Sequence, residues 1–284
     1  MAERLMIVTD STADLPARVI KDHDITVVPL NVHFGEEVLK DGEEIWAEEF
    51  YHRMHNEAVL PNTSQPSPAE FARVYEILAA KTDHILSIHI SEKLSGTIGA
   101  ASLAAEMVRD KVKVTVIDSN VVCMGLGLVV YTAAKAVAQG VGRTDVLAEI
   151  ERAKREVGVY FTVESLAHLN RTGRIGKASA LIGSLLNIRP ILGFDQGVIV
   201  PVEKFRGSSS KANVRLLEIL AEAMRGRPCY TALVHADLPD EAARLQEIIP
   251  TMFKSEEQFT SIVGPIVGVH AGPGAIGVMA VPVS

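Results

Sequence analysis

The sequence predicts an α/β protein in two domains, an N-terminal parallel α/β sandwich over residues 1–157 and a C-terminal mixed-sheet α/β domain over residues 158–284. Three observations predict it. Through the first half, short Val/Ile/Leu-rich runs alternate with helical stretches, the rhythm of βα units around a parallel sheet. In the second half that rhythm breaks at Asp195-Gln196-Gly197, a hairpin-type turn between two strand-like runs. The chain is also 48% apolar but only 5% aromatic, and an aliphatic interior suits strands covered on both faces.

Taken in order, Leu5–Val8 reads as a strand. The polar turn Asp10-Ser11-Thr12-Ala13-Asp14 follows, with capping-box spacing between Ser11 and Asp14 and Pro16 placed for a helix start. Ile25–Phe34 reads as one strand and Trp46–His55 as a helix. Asn62–Pro68 is a polar, proline-bearing loop leading to a helix over Ala69–Ala80, with Ser67 as its N-cap. His84–Ile90 is a strand, Ser91–Gly96 a loop and Thr97–Arg109 a helix. Val112–Ile117 is a strand, and Met124–Gln139 and Asp145–Val157 are helices. Beyond these, Val159–Val163 reads as a strand, Leu181–Leu186 as helix, and Ile191–Phe194 with Val198–Phe205 as the hairpin. Helices over Ser208–Arg225 and Pro239–Met252 flank a strand at Tyr230–His235, and two apolar runs close the chain. No internal repeat interrupts this order.

A net charge of −7 argues against nucleic acid as a partner and against more than transient membrane contact. Cys123 and Cys229 each lie in an apolar stretch, which reads as two buried free thiols in a reducing cytoplasm rather than as a disulfide framework. The chain opens on a strand with no basic, then apolar, leader before it. Val121–Ala134 is too short to span a bilayer, and Ile262–Val283 is broken by Pro265, Pro273 and Pro282.

Four segments could carry chemistry. Thr63-Ser64-Gln65-Pro66-Ser67 places hydroxyls before a helix; capping explains Ser67 but leaves Thr63 and Ser64 unassigned. Ser95-Gly96-Thr97 lies between a strand and a helix, where free N–H groups attract anions and glycine allows close approach. Gly268–Gly277 contains a literal G-x-G-x-x-G from Gly272, but too few residues remain for the strand and acidic residue that a dinucleotide site needs. Within it His270 reads as a polar group ending an apolar strand. Residues 171–211 hold seven basic against two acidic side chains in an acidic chain, a docking surface for an acidic partner or a solvated face. P-loop, nucleophile-elbow and H-E-x-x-H motifs are missing from the sequence, and no metal site is expected.

These segments, in this order, resemble the DegV family. The stretches that carry the resemblance are VTDSTADLP at 8–16, TSQPS at 63–67, SEKLSGT at 91–97, IDS at 117–119 and LAHLNRTGRIG at 166–176. They continue with LLNIRPIL at 185–192, KFRG at 204–207 and VGVHAGPGAIG at 267–277. The resemblance implies a carrier that buries a long-chain fatty acid such as palmitate and needs no cofactor. It further implies that the carrier presents the carboxylate to an ATP-binding fatty acid kinase subunit, which makes an acyl-phosphate for phospholipid synthesis. Carried over residue by residue, Thr63, Ser95 and His270 hold the carboxylate, Ser64, Gly96, Thr97 and Gly272 support them, and Arg171, Arg174 and Arg206 face the kinase. Ala271 stands where the family often has a hydroxyl residue. Leu181–Leu186 and Ile191–Phe194 are candidate tunnel lining. The competing expectation is a Ser/His acyl hydrolase or transferase using Ser95 as nucleophile and His270 as base.

Overall fold

The computed structural model describes residues 4–182 and 188–284. Its first half contains β1 (Leu5–Asp10), α1 (Ala17–Asp22), β2 (Thr26–Val28), β3 (Asn31–Phe34), β4 (Glu37–Lys40), α2 (Ala47–Asn56) and β5 (Asn62–Ser64). Then come α3 (Pro68–Ala79), β6 (His84–His89), α4 (Thr97–Met107), β7 (Lys113–Asp118), α5 (Met124–Ala138) and α6 (Arg143–Glu156). The second half runs β8 (Gly158–Thr162), α7 (Ala167–Arg171), β9 (Arg189–Asp195), β10 (Val198–Phe205), α8 (Ser209–Met224) and β11 (Pro228–His235). It closes with α9 (Pro239–Met252), β12 (Lys254–Ile262), α10 (Pro265–Ala271) and β13 (Ile276–Pro282).

A parallel four-stranded sheet has the order β2-β1-β6-β7. Every residue of β1 and β6 is buried, because α3 and α4 cover one face and α5 the other. A mixed six-stranded sheet has the order β10-β9-β8-β13-β11-β12, with only β11 and β12 parallel. α8 and α9 cover its outer face, around Leu216, Leu233, Leu245 and Val278. Its inner face, with Val159, Val234 and Met279, joins a core that reaches into the four-stranded sheet.

α5 lies between the two sheets; every residue from Met124 to Ala134 is buried, and only its last turn, with Lys135, Val137 and Ala138, reaches solvent. Two glycines allow the approach. A Cβ at Gly127 would stand 2.6 Å from the Ala13 carbonyl oxygen, and one at Gly125 would stand 2.7 Å from Val159 Cγ2. Residue 157 falls between α6 and β8, and the hydrophobic core runs across that point without a break.

The structure differs from the sequence reading in local ways with physical causes. Ile25–Phe34 is not one strand. Pro29 lacks an N–H for the ladder, so β2 stays with the four-stranded sheet while β3 crosses to a small antiparallel sheet, β4-β3-β5. The loop expected at Asn62–Pro68 therefore contains a strand, β5. The turn after β1 is a 3₁₀ turn over Ser11–Ala13, with Asp14 closing it in a left-handed conformation, so Ser11 caps no α-helix. β12 escaped the reading because its LysSerGluGluGln start is polar and only Phe259 along the strand is buried, a pattern proper to sheet edges. The first closing apolar run is a helix rather than a strand, started by Pro265 in its first turn. Gly176–Leu181 forms a 3₁₀ turn where a helix was expected from Leu181 onward, and Gly183–Asn187 lie outside the described residues. The Ser67 cap is present as a capping box with Glu70, and the hairpin turns at Gln196-Gly197. Among the described residues no helix is long and apolar enough to cross a membrane.

Candidate functional site

Where the N-terminal half meets the inner face of the six-stranded sheet, the packing leaves a cavity of about 920 Å³, mouth included. Phe161, Val234 and Met279 from the sheet, Leu30 and Ile90 from the first half, and Ile266 from α10 supply apolar walls. The position, at a meeting of two layers, and the apolar lining with few polar groups are those of a small-molecule site.

Those polar groups are Thr63, Ser64, Gln65, Ser95, Arg174 and His270. Pairing of β5 with β3, Thr63 opposite Val32, fixes the first two. Thr63 Oγ1 lies 2.9 Å from His270 Nε2. Ser64 Oγ lies 2.8 Å from His33 Nε2 and accepts a long bond from Asn31 Nδ2 at 3.4 Å. Ser95 sits on a turn in which the Leu94 and Ser95 N–H groups both donate to the Ser91 carbonyl, at 3.0 and 3.1 Å. Ser95 Oγ accepts from Thr97 N at 3.3 Å and lies 2.9 Å from Thr97 Oγ1. Gly96 gives room to a protein group as well as to any ligand, because a Cβ there would meet the Gln65 amide at 2.9 Å.

His270 ends α10 rather than a strand. Burial first, and then the charges of Arg174 and Arg171, push its pKa down to about 4. Among the described residues its buried Nδ1 meets no partner, and neither does Nδ1 of His168 on α7. Gly272, at φ +76°, turns the chain directly over His168, whose Cδ2 would be 2.5 Å from a Cβ there. Of these groups His270 and Arg174 line the cavity, and the Arg174 guanidinium is the cation there that favours an anion.

The depressed His270 value has a measurable consequence. The unfolded chain takes up a proton at His270 near pH 6.5, whereas the folded chain resists until about pH 4. Between those values the unfolded state binds more protons, so stability falls as pH drops from 6.5 towards 4, by on the order of 3 kcal/mol in all. Denaturant unfolding of the wild type and His270→Gln at pH 7, 6 and 5 should show the wild type losing more. Parallel losses in the two proteins would reject this.

The structure brings Thr63, Ser95 and His270 to one cavity, with Ser64 beside them; Gly96, Thr97 and Gly272 shape their backbones. The three arginines separate. Arg206 is exposed just beyond β10. Arg171 is exposed and donates to the Pro61 carbonyl at 3.4 Å. Arg174 turns inward, lines the cavity, and donates to the Leu94 and Thr172 carbonyls at 3.1 and 2.6 Å. Of the expected tunnel residues, Phe194 lines the cavity, while Ile191 packs in the outer core against α8 and Leu185 and Leu186 lie outside the described residues. Cys123 and Gln65 are cavity-lining residues that the sequence reading did not single out. The polar stretch around Gln65 was a usable signal; Cys123 gave none.

A family model described as "Uncharacterised protein, DegV family" matches residues 4–283. Protein DegV of Bacillus subtilis (strain 168) is 39% identical over 276 residues, covering 96% of this chain and 98% of that protein. A solved Thermus thermophilus structure, described as fatty acid binding of a DegV family protein, is 37% identical with a TM-score of 0.92, over 99% of this chain and 100% of the other. A Bacillus subtilis structure described as DegV, a fatty acid binding protein, is 38% identical with a TM-score of 0.91, again over 99% and 100%.

Proposed function

The chain belongs to the DegV family, and on that premise we propose that it is a non-catalytic cytoplasmic carrier of one long-chain fatty acid, which it presents to an ATP-binding fatty acid kinase. The observation that carries this reading is the mostly apolar cavity whose lining includes the Thr63–His270 pair and Ser95. Each buried methylene contributes roughly 0.8 kcal/mol, so the hydrocarbon provides most of the affinity and the hydroxyls fix which end is the head. The solved relatives described as fatty acid binding support the same ligand class.

The hydrogen bonding favours a carrier over a hydrolase. No hydrogen bond joins Ser95 to His270; Ser95 is engaged with Thr97, and His270 Nε2 with Thr63. His270 Nδ1 also lacks the orienting partner that a catalytic base requires. Arg206 and Arg171 are both exposed and outside the cavity, as residues that meet a kinase must be, while Arg174 lines the cavity.

Native mass spectrometry of the purified protein tests the ligand, and acyl-phosphate formation with a cognate kinase tests the partner. A mass gain of one long-chain fatty acid is expected, with Arg206→Ala keeping that mass while losing at least tenfold in phosphorylation rate. A stripped protein that takes up no fatty acid would end the carrier reading, and an unchanged rate in Arg206→Ala would remove Arg206 from the docking surface.

A further inference from the structure

We propose that Asp14 is a positioning residue for the acyl site, holding in register the two backbone segments from which Cys123 and His270 reach the cavity. This deepens the carrier reading and rests on it. Asp14 itself does not line the acyl cavity; it faces a separate cleft on the other side of the same wall, beside Asp41, Trp46 and Gly264. Its two carboxyl oxygens point to different segments. Oδ1 accepts from Gly264 N at 3.1 Å, and Oδ2 accepts from the Cys123 thiol at 2.8 Å.

Each contact ends on a segment with little freedom of its own. Gly264 is the N-cap of α10, and the helix carries any displacement of that cap rigidly to His270 at its far end. A Cβ at Gly264 would stand 2.5 Å from Asp14 Oδ1, so only glycine admits the contact. Cys123 is the N-cap of α5, with φ 58° and ψ −152°, a conformation at home in glycine that persists in other residues only when the surroundings enforce it. Asp14, at φ 50°, is itself set by the turn that follows β1. One carboxyl group from the DSTAD stretch thus ties β1 to both walls of the cavity. Burial pushes both Asp14 and the Cys123 thiol towards their neutral forms, so an uncharged asparagine of the same shape keeps the Gly264 bond through its amide oxygen and offers its N–H to the Cys123 sulfur, with donor and acceptor exchanged on that side.

The test compares Asp14→Ala, Asp14→Asn and Gly264→Ala with the wild type, using two readouts on delipidated protein. One is affinity for the fluorescent fatty acid cis-parinaric acid. The other is the rate of Cys123 alkylation by iodoacetamide without ligand, located by peptide mass spectrometry. Asp14→Ala and Gly264→Ala are expected to weaken probe binding at least tenfold and to speed Cys123 alkylation at least tenfold, with Asp14→Asn within threefold of wild type on both. Wild-type behaviour of Asp14→Ala on both readouts overturns the proposal, and so does an Asp14→Asn as impaired as Asp14→Ala. Should Asp14→Ala fail to fold, Gly264→Ala breaks the same bond from the other side and decides. A wild type that binds no probe would instead sink the carrier reading, leaving the alkylation rates to judge the role of Asp14.

Discussion

Replacing Thr63 by valine and Ser95 by alanine together will lower fatty acid affinity by two to four orders of magnitude while leaving the fold nearly intact. A carboxylate drawn from water into an apolar cavity depends on the donors it meets there. A hydrogen bond to a charged group is worth about 1.5–3 kcal/mol, so losing two costs about 3–6 kcal/mol, and each 1.4 kcal/mol is tenfold in Kd. Thr63→Val keeps the β-branched shape that β5 carries, and Ser95→Ala removes one acceptor from a single backbone N–H. Fluorescent fatty acid titration measures the loss and a thermal melt measures the fold. An affinity within threefold of wild type would show that the head group is held elsewhere.

Asp10→Ala will act in the opposite way, on the fold first. Asp10 is fully buried at the end of β1, and four donors converge on it. Oδ1 accepts from Thr12 N at 3.1 Å and from Thr12 Oγ1 at 2.5 Å. Oδ2 accepts from Ile90 N at 3.0 Å and meets His89 Nδ1 at 2.9 Å. The chain continues from His89 Nε2 to Ser87 Oγ at 2.6 Å and on to the Tyr75 hydroxyl at 2.8 Å, every member buried. This Asp–His–Ser sequence invites comparison with a hydrolytic triad, but its serine is sealed in the core behind Tyr75 and Phe71. Its role is structural: it binds β1 to β6 and fixes the turn that carries Asp14. Removing the acceptor strands several buried donors, at a cost of about 3–5 kcal/mol, and should lower Tm by on the order of 10 °C. A calorimetric melt checks it, and a fall of less than about 2 °C would mean that the network relaxes around the gap.

Much of this architecture was legible in the sequence, and the failures have a common cause. A continuous apolar run such as Leu5–Val8 identified a strand covered on both faces because no other environment suits it. Ser67 with Pro68 marked a helix start through local chemistry alone. β5, β12 and the helical state of His270 were illegible because they depend on partners distant in sequence: β5 exists only beside β3, and β12 only beside β11. At the candidate site, Thr63, Ser95 and His270, singled out by the motif order, line one cavity. Their contacts were not legible, since Thr63 pairs with a residue 207 positions away. Arg174 was taken for a surface group because charge alone does not tell which way a side chain turns; its inward course is set by the Leu94 carbonyl 80 positions back.

From Met124 to Ala134 the central helix α5 is buried on every side, and its first turn abuts Val159 on one sheet while Gly127 abuts the turn after β1 on the other side. Cys123, one residue before that helix, lines the cavity. Cargo lodged there is therefore in mechanical series with the keystone of the whole molecule. On the carrier reading, filling the cavity would act on the packing of both layers at once, and the loaded and unloaded proteins should differ in how firmly the two layers hold together.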